Sequence, residues 1–161
     1  MISLFKKTLG LSHLGVGDMA PDFNLQDQDG NSHSLRESDG RWRVLFFYPK
    51  DESHGCTKEV CSFRDEFKAF SSLDTTVYGV SVDSVEDHKN FARNQNLSFP
   101  LLADTEKKVC RDYGVLMPVL EIANRVTFLI GPDRKIGAVI SWAQWANYAV
   151  EVLDKLRALK N

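Results

Sequence analysis

Residues 43–67, RVLFFYPKDESHGCTKEVCSFRDEF, run from a hydrophobic strand through a proline turn into a segment with two cysteines, Cys56 and Cys61. The run Trp42–Tyr48 has the length and the β-branched and aromatic content of a buried strand, and Pro49, which has no amide to continue a ladder, stops it. From Cys56 to Leu73, Val60, Phe63, Phe67 and Phe70 recur at helical spacing. If the helix opens at Gly55, its unpaired amides and the positive end of its dipole face Cys56 and favour a thiolate, which makes Cys56 a candidate nucleophile. Five residues of helix hold the Cα atoms of Cys56 and Cys61 about 8–9 Å apart. A disulfide spans less than about 7 Å. Either the two never pair, or pairing unwinds the first turns of the helix.

Outward from this stretch, Thr75–Val82 reads as a second strand and Ser84–Asn94 as a helix, with Ser84 its N-cap and Asp87 three residues on. Phe99–Ala103 reads as a short strand and Thr105–Tyr113 as a short helix. Arg125–Ile130 and Lys135–Trp142 flank the turn GPDR as a β-hairpin, and Asn147–Leu159 closes the chain as an amphipathic helix. The order is that of an α/β domain with a mixed central sheet flanked by helices on both faces. Trp142 and Trp145 read as a packing pair. With no linker or repeat, residues 1–161 read as a single domain.

The charge of −2, with signs interspersed, gives no electrostatic footprint for nucleic acid. No apolar run approaches the roughly 18 residues that span a bilayer. The amino-terminal MISLFKKTLGLSHLG lacks the pattern of a secretory signal, so the expected compartment is cytoplasmic. Three cysteines make no structural disulfide framework and point to thiol chemistry or to packing.

GDMAPDFNLQDQDGNSHSL at 17–35, VLFFYPKDESHGCTKEVCSFRDEF at 44–67 and RVTFLIGPDRKI at 125–136 resemble the peroxiredoxins of the AhpC/TSA family, and the Cys-x4-Cys spacing resembles their peroxiredoxin Q, or bacterioferritin comigratory protein, group. The family pattern Pro-x-x-x-Thr/Ser-x-x-Cys is met by Pro49, Ser53 and Cys56, with Arg125, Thr127 and Phe128 downstream. The resemblance implies a thioredoxin-like fold with an N-terminal hairpin extension, antioxidant reduction of peroxides, and no metal or organic cofactor. It implies that Cys56 attacks the O–O bond and becomes a sulfenic acid, that Ser53 hydrogen-bonds the peroxide, that Arg125 holds thiolate and peroxide together, and that Pro49 shields the sulfenic acid. Cys61 fits the resolving position, and a thioredoxin or glutaredoxin-like dithiol would recycle the disulfide. A monomer is sufficient for this cycle and a dimer is compatible with it.

Three positions depart from the pattern or stand outside it. His54 replaces a common proline and reads as a surface residue, the alternative being an imidazolium that favours the Cys56 thiolate. Glu59 either orients an arginine or simply suits the first turn of a helix. The apolar segment Gly114–Asn124 either lines the peroxide pocket or packs on a partner chain. Two other classes remain: a thioredoxin-like dithiol oxidoreductase, disfavoured because that chemistry uses Cys-x-x-Cys, and a zinc-binding or interaction domain using Cys56, Cys61, His54 and Cys110, disfavoured because the ligands do not come in tight pairs. Cys110 otherwise reads as core, with a second role as resolving thiol only if Cys61 is not one.

Overall fold

The computed structural model describes residues 13–141 and 147–161. Trp142, Trp145 and residues 1–12 lie outside the described residues.

The elements are β1 (Asn24–Gln26), β2 (Ser32–Ser34), a 3-10 turn (Leu35–Ser38), β3 (Trp42–Phe47), α1 (His54–Asp65), α2 (Phe67–Ser72), β4 (Thr75–Ser81), α3 (Val85–Gln95), β5 (Leu101–Ala103), α4 (Lys108–Asp112), β6 (Val126–Ile130), β7 (Ile136–Ile140) and α5 (Tyr148–Lys160). They build one seven-stranded mixed sheet in the order β2-β1-β5-β4-β3-β6-β7. β3, β4 and β5 are parallel, and β6 returns antiparallel to β3. This is the thioredoxin-like α/β arrangement, and β1 with β2 forms the expected N-terminal hairpin.

β3 alternates its side chains between two apolar layers, as a pleated central strand must. Val44, Phe46 and Tyr48 join Cys56, Val60 and Phe63 of α1, Phe70 of α2, Phe91 of α3 and Tyr148 of α5 on one face. Leu45 and Phe47 join Phe23, Val109, Cys110, Tyr113 and Phe128 on the other. Phe46 stacks on Phe63 with ring centroids 4.2 Å apart, which seats α1 against the end of β3.

Several boundaries differ from the sequence reading. The expected helix Cys56–Leu73 begins two residues earlier, at His54, and is two helices joined at Glu66 (φ −98°, ψ 6°). The apolar stripe crosses that joint without a change of spacing, so the break leaves no mark on the pattern. β5 starts at Leu101 rather than Phe99, because Pro100 has no amide for the ladder and contributes only its carbonyl, to Gly79 N at 3.1 Å. α4 is shorter than expected because Lys107 is left-handed (φ 64°). The Asp104 carboxylate takes the amides of Val109 and Cys110 instead, at 3.2 and 2.7 Å. Ser84 caps α3 as read, its hydroxyl accepting from Asp87 N at 3.1 Å.

Candidate active site

The site forms where β3 ends, where the loop Tyr48–Ser53 turns, and where α1 begins. Ser53 is the N-cap residue of α1, and the first intrahelical bond runs from Thr57 N to Ser53 O at 2.8 Å. The amides of His54, Gly55 and Cys56 therefore precede the ladder and leave the positive end of the helix at Cys56. Cys56 is fully buried. The Ser53 hydroxyl, half-buried, donates to Lys50 O at 3.1 Å, which closes the loop and leaves the oxygen able to accept. Pro49 is half-buried at the start of the loop, and His54 is exposed, in keeping with its reading as a surface residue.

Arg125 reaches this corner from across the sheet. Val126 pairs with Phe47, so the residue before β6 lies level with Tyr48 at the end of β3 where the loop starts. Arg125 Nη1 lies 3.5 Å from Glu59 Oε1. Glu59 stands three residues after Cys56 and so shares its face of α1. Of the two readings of Glu59, the structure supports orientation of an arginine. Glu59 is fully buried, and its Oε2 has no partner among the described residues. Burial pushes its carboxyl up to about 8, against the opposing pull of Arg125. Burial thus favours the neutral carboxyl and weakens its cancellation of the Arg125 charge. Tyr148 completes the wall: its hydroxyl receives one hydrogen bond from Thr127 Oγ1 at 2.7 Å and donates another to Ile140 O at 3.1 Å.

The sequence reading missed a second group. Tyr48 OH donates to Asp51 Oδ1 at 2.5 Å, Asp51 Oδ2 lies 2.6 Å from His88 Nδ1, and His88 Nε2 lies 3.1 Å from the carbonyl of Leu102. A carbonyl only accepts, so Nε2 carries a proton, and a further proton lies between Nδ1 and the carboxylate. Burial pushes the Asp51 carboxyl upward, with His88 opposing. Asp51 N also donates to Asp83 Oδ2 at 2.9 Å. This buried network fixes the loop that carries Pro49 and Ser53. The available signal was a histidine on the apolar stripe of α3, with Phe91 and Ala92 three and four residues on.

Cys61 points elsewhere. Five residues of helix rotate it about 140° from Cys56, toward the end of α3, where its Sγ donates to Gln95 Oε1 at 3.2 Å. The three cysteines carry free thiols. Burial, with a contribution from Asp65, pushes the Cys61 thiol up, and Arg64 opposes it. Cys110 belongs to the layer on the other face of the sheet. The zinc alternative therefore fails on geometry, because Cys56 and Cys110 lie on opposite sides of β3 and His54 faces solvent. The segment Gly114–Asn124 folds back on itself through the bridge Leu116–Ala123, and its tip leaves Val119 and Leu120 exposed. A cavity of about 610 Å³ lined by Asp22, Leu25, Val85, Asp104 and Lys108 holds none of the site residues.

Residues 16–139 match the model of the AhpC/TSA family. The chain is 38% identical over 147 residues to a putative peroxiredoxin bcp of Coxiella burnetii, which covers 88% of this chain and 97% of that protein. It is 44% identical over 146 residues to the chloroplastic peroxiredoxin Q of Sedum lineare, covering 89% and 78%. Among solved structures, the peroxidoxin BcpB of Mycobacterium tuberculosis superposes with a TM-score of 0.86 at 36% identity, over 92% of this chain and all of that one. The bacterioferritin comigratory protein of Xanthomonas campestris, a structure titled for its alkyl peroxide reduction activity, superposes at 0.83 with 30% identity, over 93% and 99%.

Proposed function

Because the chain belongs to the AhpC/TSA family and is a peroxiredoxin, a thiol-dependent peroxidase, we propose that Cys56 is its peroxidatic cysteine and Cys61 its resolving one. The thiolate of Cys56 attacks one oxygen of the peroxide; an S–O bond forms, the O–O bond breaks, and the departing oxygen leaves as alkoxide or hydroxide and takes up a proton. Cys56 becomes a sulfenic acid. The first-turn amides of α1 and the guanidinium of Arg125 stabilise negative charge at the sulfur and on the departing oxygen, where it develops in the transition state. The Ser53 hydroxyl orients the peroxide, and Pro49 limits the access of water. Glu59 aims Arg125, and the Tyr48–Asp51–His88 network holds the loop.

The observation that supports this reading is the contact of Arg125 Nη1 with Glu59 Oε1 at 3.5 Å, one helical turn after Cys56, which itself stands in the first turn of α1. Resolution follows when α1 frays. The Cys61 sulfur displaces the sulfenic oxygen as water, and an intramolecular disulfide forms. A thioredoxin or glutaredoxin-like dithiol then reduces that disulfide and becomes oxidised itself. Hydrogen peroxide and, following the named activity of the Xanthomonas relative, alkyl hydroperoxides are the substrates. The chain works as one domain, for which a monomer is enough, in a reducing compartment that we read as the cytoplasm.

One equivalent of hydrogen peroxide added to the reduced protein tests the reading. Two thiols should disappear per molecule, and peptide mass spectrometry should find Cys56 joined to Cys61. Cys56→Ser should abolish turnover, whereas Cys61→Ser should allow one turnover and stop. A Cys61→Ser protein that cycles normally would remove Cys61 from its role.

A further inference from the structure

The end of α3 meets α1 at Cys61 and again one turn later. Gln95, the last residue of α3, accepts from the Cys61 thiol at 3.2 Å through its side-chain oxygen, and its backbone carbonyl accepts from Arg64 Nη1 at 2.9 Å. Arg64 lies one helical turn after Cys61, so one residue of α3 meets two successive positions on one face of α1. The same end of α3 also reaches the loop before Cys56, through Asn94 Nδ2 to Glu52 Oε1 at 3.1 Å.

We propose that Gln95 is a positioning residue for disulfide formation, holding Cys61 in the helix as a protonated thiol until α1 unwinds. The inference rests on the reading of Cys61 as the resolving cysteine and deepens it. Cys61 must do two things to attack: leave the face of α1 about 140° from Cys56, and give up its proton. The Gln95 oxygen opposes both, because it accepts the S–H proton and so favours the neutral thiol in the folded helix. In the step itself the Cys61 sulfur attacks the Cys56 sulfenic sulfur, an S–S bond forms, the S–O bond breaks, and the hydroxyl leaves with the Cys61 proton as water. A longer wait in the folded helix leaves the sulfenic acid exposed to a second peroxide, which oxidises it to sulfinic acid with release of a second water or alcohol. Gln95 thereby sets the partition between disulfide and sulfinic acid.

The experiment mixes reduced protein with peroxide, quenches at intervals with an alkylating agent, and counts Cys56–Cys61 disulfide against Cys56 sulfinic acid by peptide mass spectrometry. Gln95→Met keeps the length of the side chain and the Arg64 contact, which uses the backbone, but removes the acceptor. A hydrogen bond of ordinary net worth shifts an equilibrium a few-fold, and a thiol is a weak donor. Gln95→Met should form the disulfide about threefold faster and need correspondingly more peroxide to reach half sulfinic acid. Gln95→Glu keeps an acceptor and should form it no faster than the unaltered protein. Disulfide formation in Gln95→Met at or below the unaltered rate overturns the inference. So does a Gln95→Glu rate equal to that of Gln95→Met, which would mean that any change loosens the end of α3. If peptides of the unaltered protein join Cys56 to a thiol other than Cys61, the resolving assignment itself fails, and that result is read without any Gln95 variant.

Discussion

Glu59 shows how a single buried carboxyl shapes the site. Its folded value of about 8 stands above the ordinary 4.5 because burial outweighs the pull of Arg125 at 3.5 Å. A carboxyl raised on folding binds its proton more tightly in the native state, so its contribution to stability is whole below pH 4.5 and is lost as pH rises through about 8. Gln has no such proton. Urea unfolding of the protein and of Glu59→Gln should therefore show the unaltered protein losing stability relative to the variant between pH 4.5 and 8.5, by on the order of 4 kcal/mol in total. A difference that stays constant across that range would place the carboxyl in water. Arg125 carries the complementary prediction. Removing a donor fixed on developing charge costs about 10²- to 10³-fold, so Arg125→Met should lower the second-order rate of Cys56 oxidation by that factor in stopped-flow competition with a second peroxidase. Arg125→Lys keeps the charge without the planar fork and should fall between the two. A normal rate for Arg125→Met would remove Arg125 from the chemistry.

At the scale of the element, α1 has to be rigid enough to hold Cys56 at its start and loose enough to bring Cys61 to it. Its inner face is fixed by Val60 and Phe63, which are fully buried, and by Ser62 Oγ, which accepts from Ala149 N at 3.1 Å. At the level of Cys61 its outer face meets the end of α3 through Gln95. Fraying should therefore start at Ser53 and stop before Phe63. In hydrogen exchange read by peptide mass spectrometry, amides 57–61 should be protected in the dithiol form and exchange at least tenfold faster in the disulfide form, while β3 stays protected in both. Equal protection in the two forms would mean that the pair closes without unwinding. The strand, the proline stop, the apolar stripe of α1 and the Ser84 cap were all legible in the sequence, because each is a local pattern with a local cause. The joint at Glu66 was not, since Val60, Phe63, Phe67 and Phe70 keep their spacing through it. Gln95 was not legible either: a glutamine at a helix end reads as a solvated face, and its partner lies 34 residues away. His88 is paired with Asp51 over 37 residues, a distance that no local pattern spans.

Across the whole molecule, the sheet divides the sulfur chemistry into two layers. Cys56 packs with α1, α3 and α5 on one face, and Cys110 packs with Tyr113 and Phe128 on the other. Burial, and then the Asp104 carboxylate, push the Cys110 thiol up, so it is neither exposed nor ionised in the native state. The resemblance to peroxiredoxins left Cys110 open as a substitute for Cys61, and only the two-layer packing separates them, because sequence distance carries no information about which face of a sheet a helix covers. A thiol that labels only when its own layer opens reports the free energy of that opening. Cys61 is half-buried with its thiol on Gln95, so a small alkylating agent should reach it through local opening, at a rate that hardly responds to low urea. Cys110 is fully buried on the face of α4 that packs against the sheet, and should label only through global unfolding, with a urea dependence equal to that of equilibrium unfolding. The two rates in water should differ by at least a hundredfold. Labelling of Cys110 as fast as Cys61 without denaturant would mean that its layer opens independently of the rest of the fold, and would return Cys110 to the candidates for resolving the sulfenic acid.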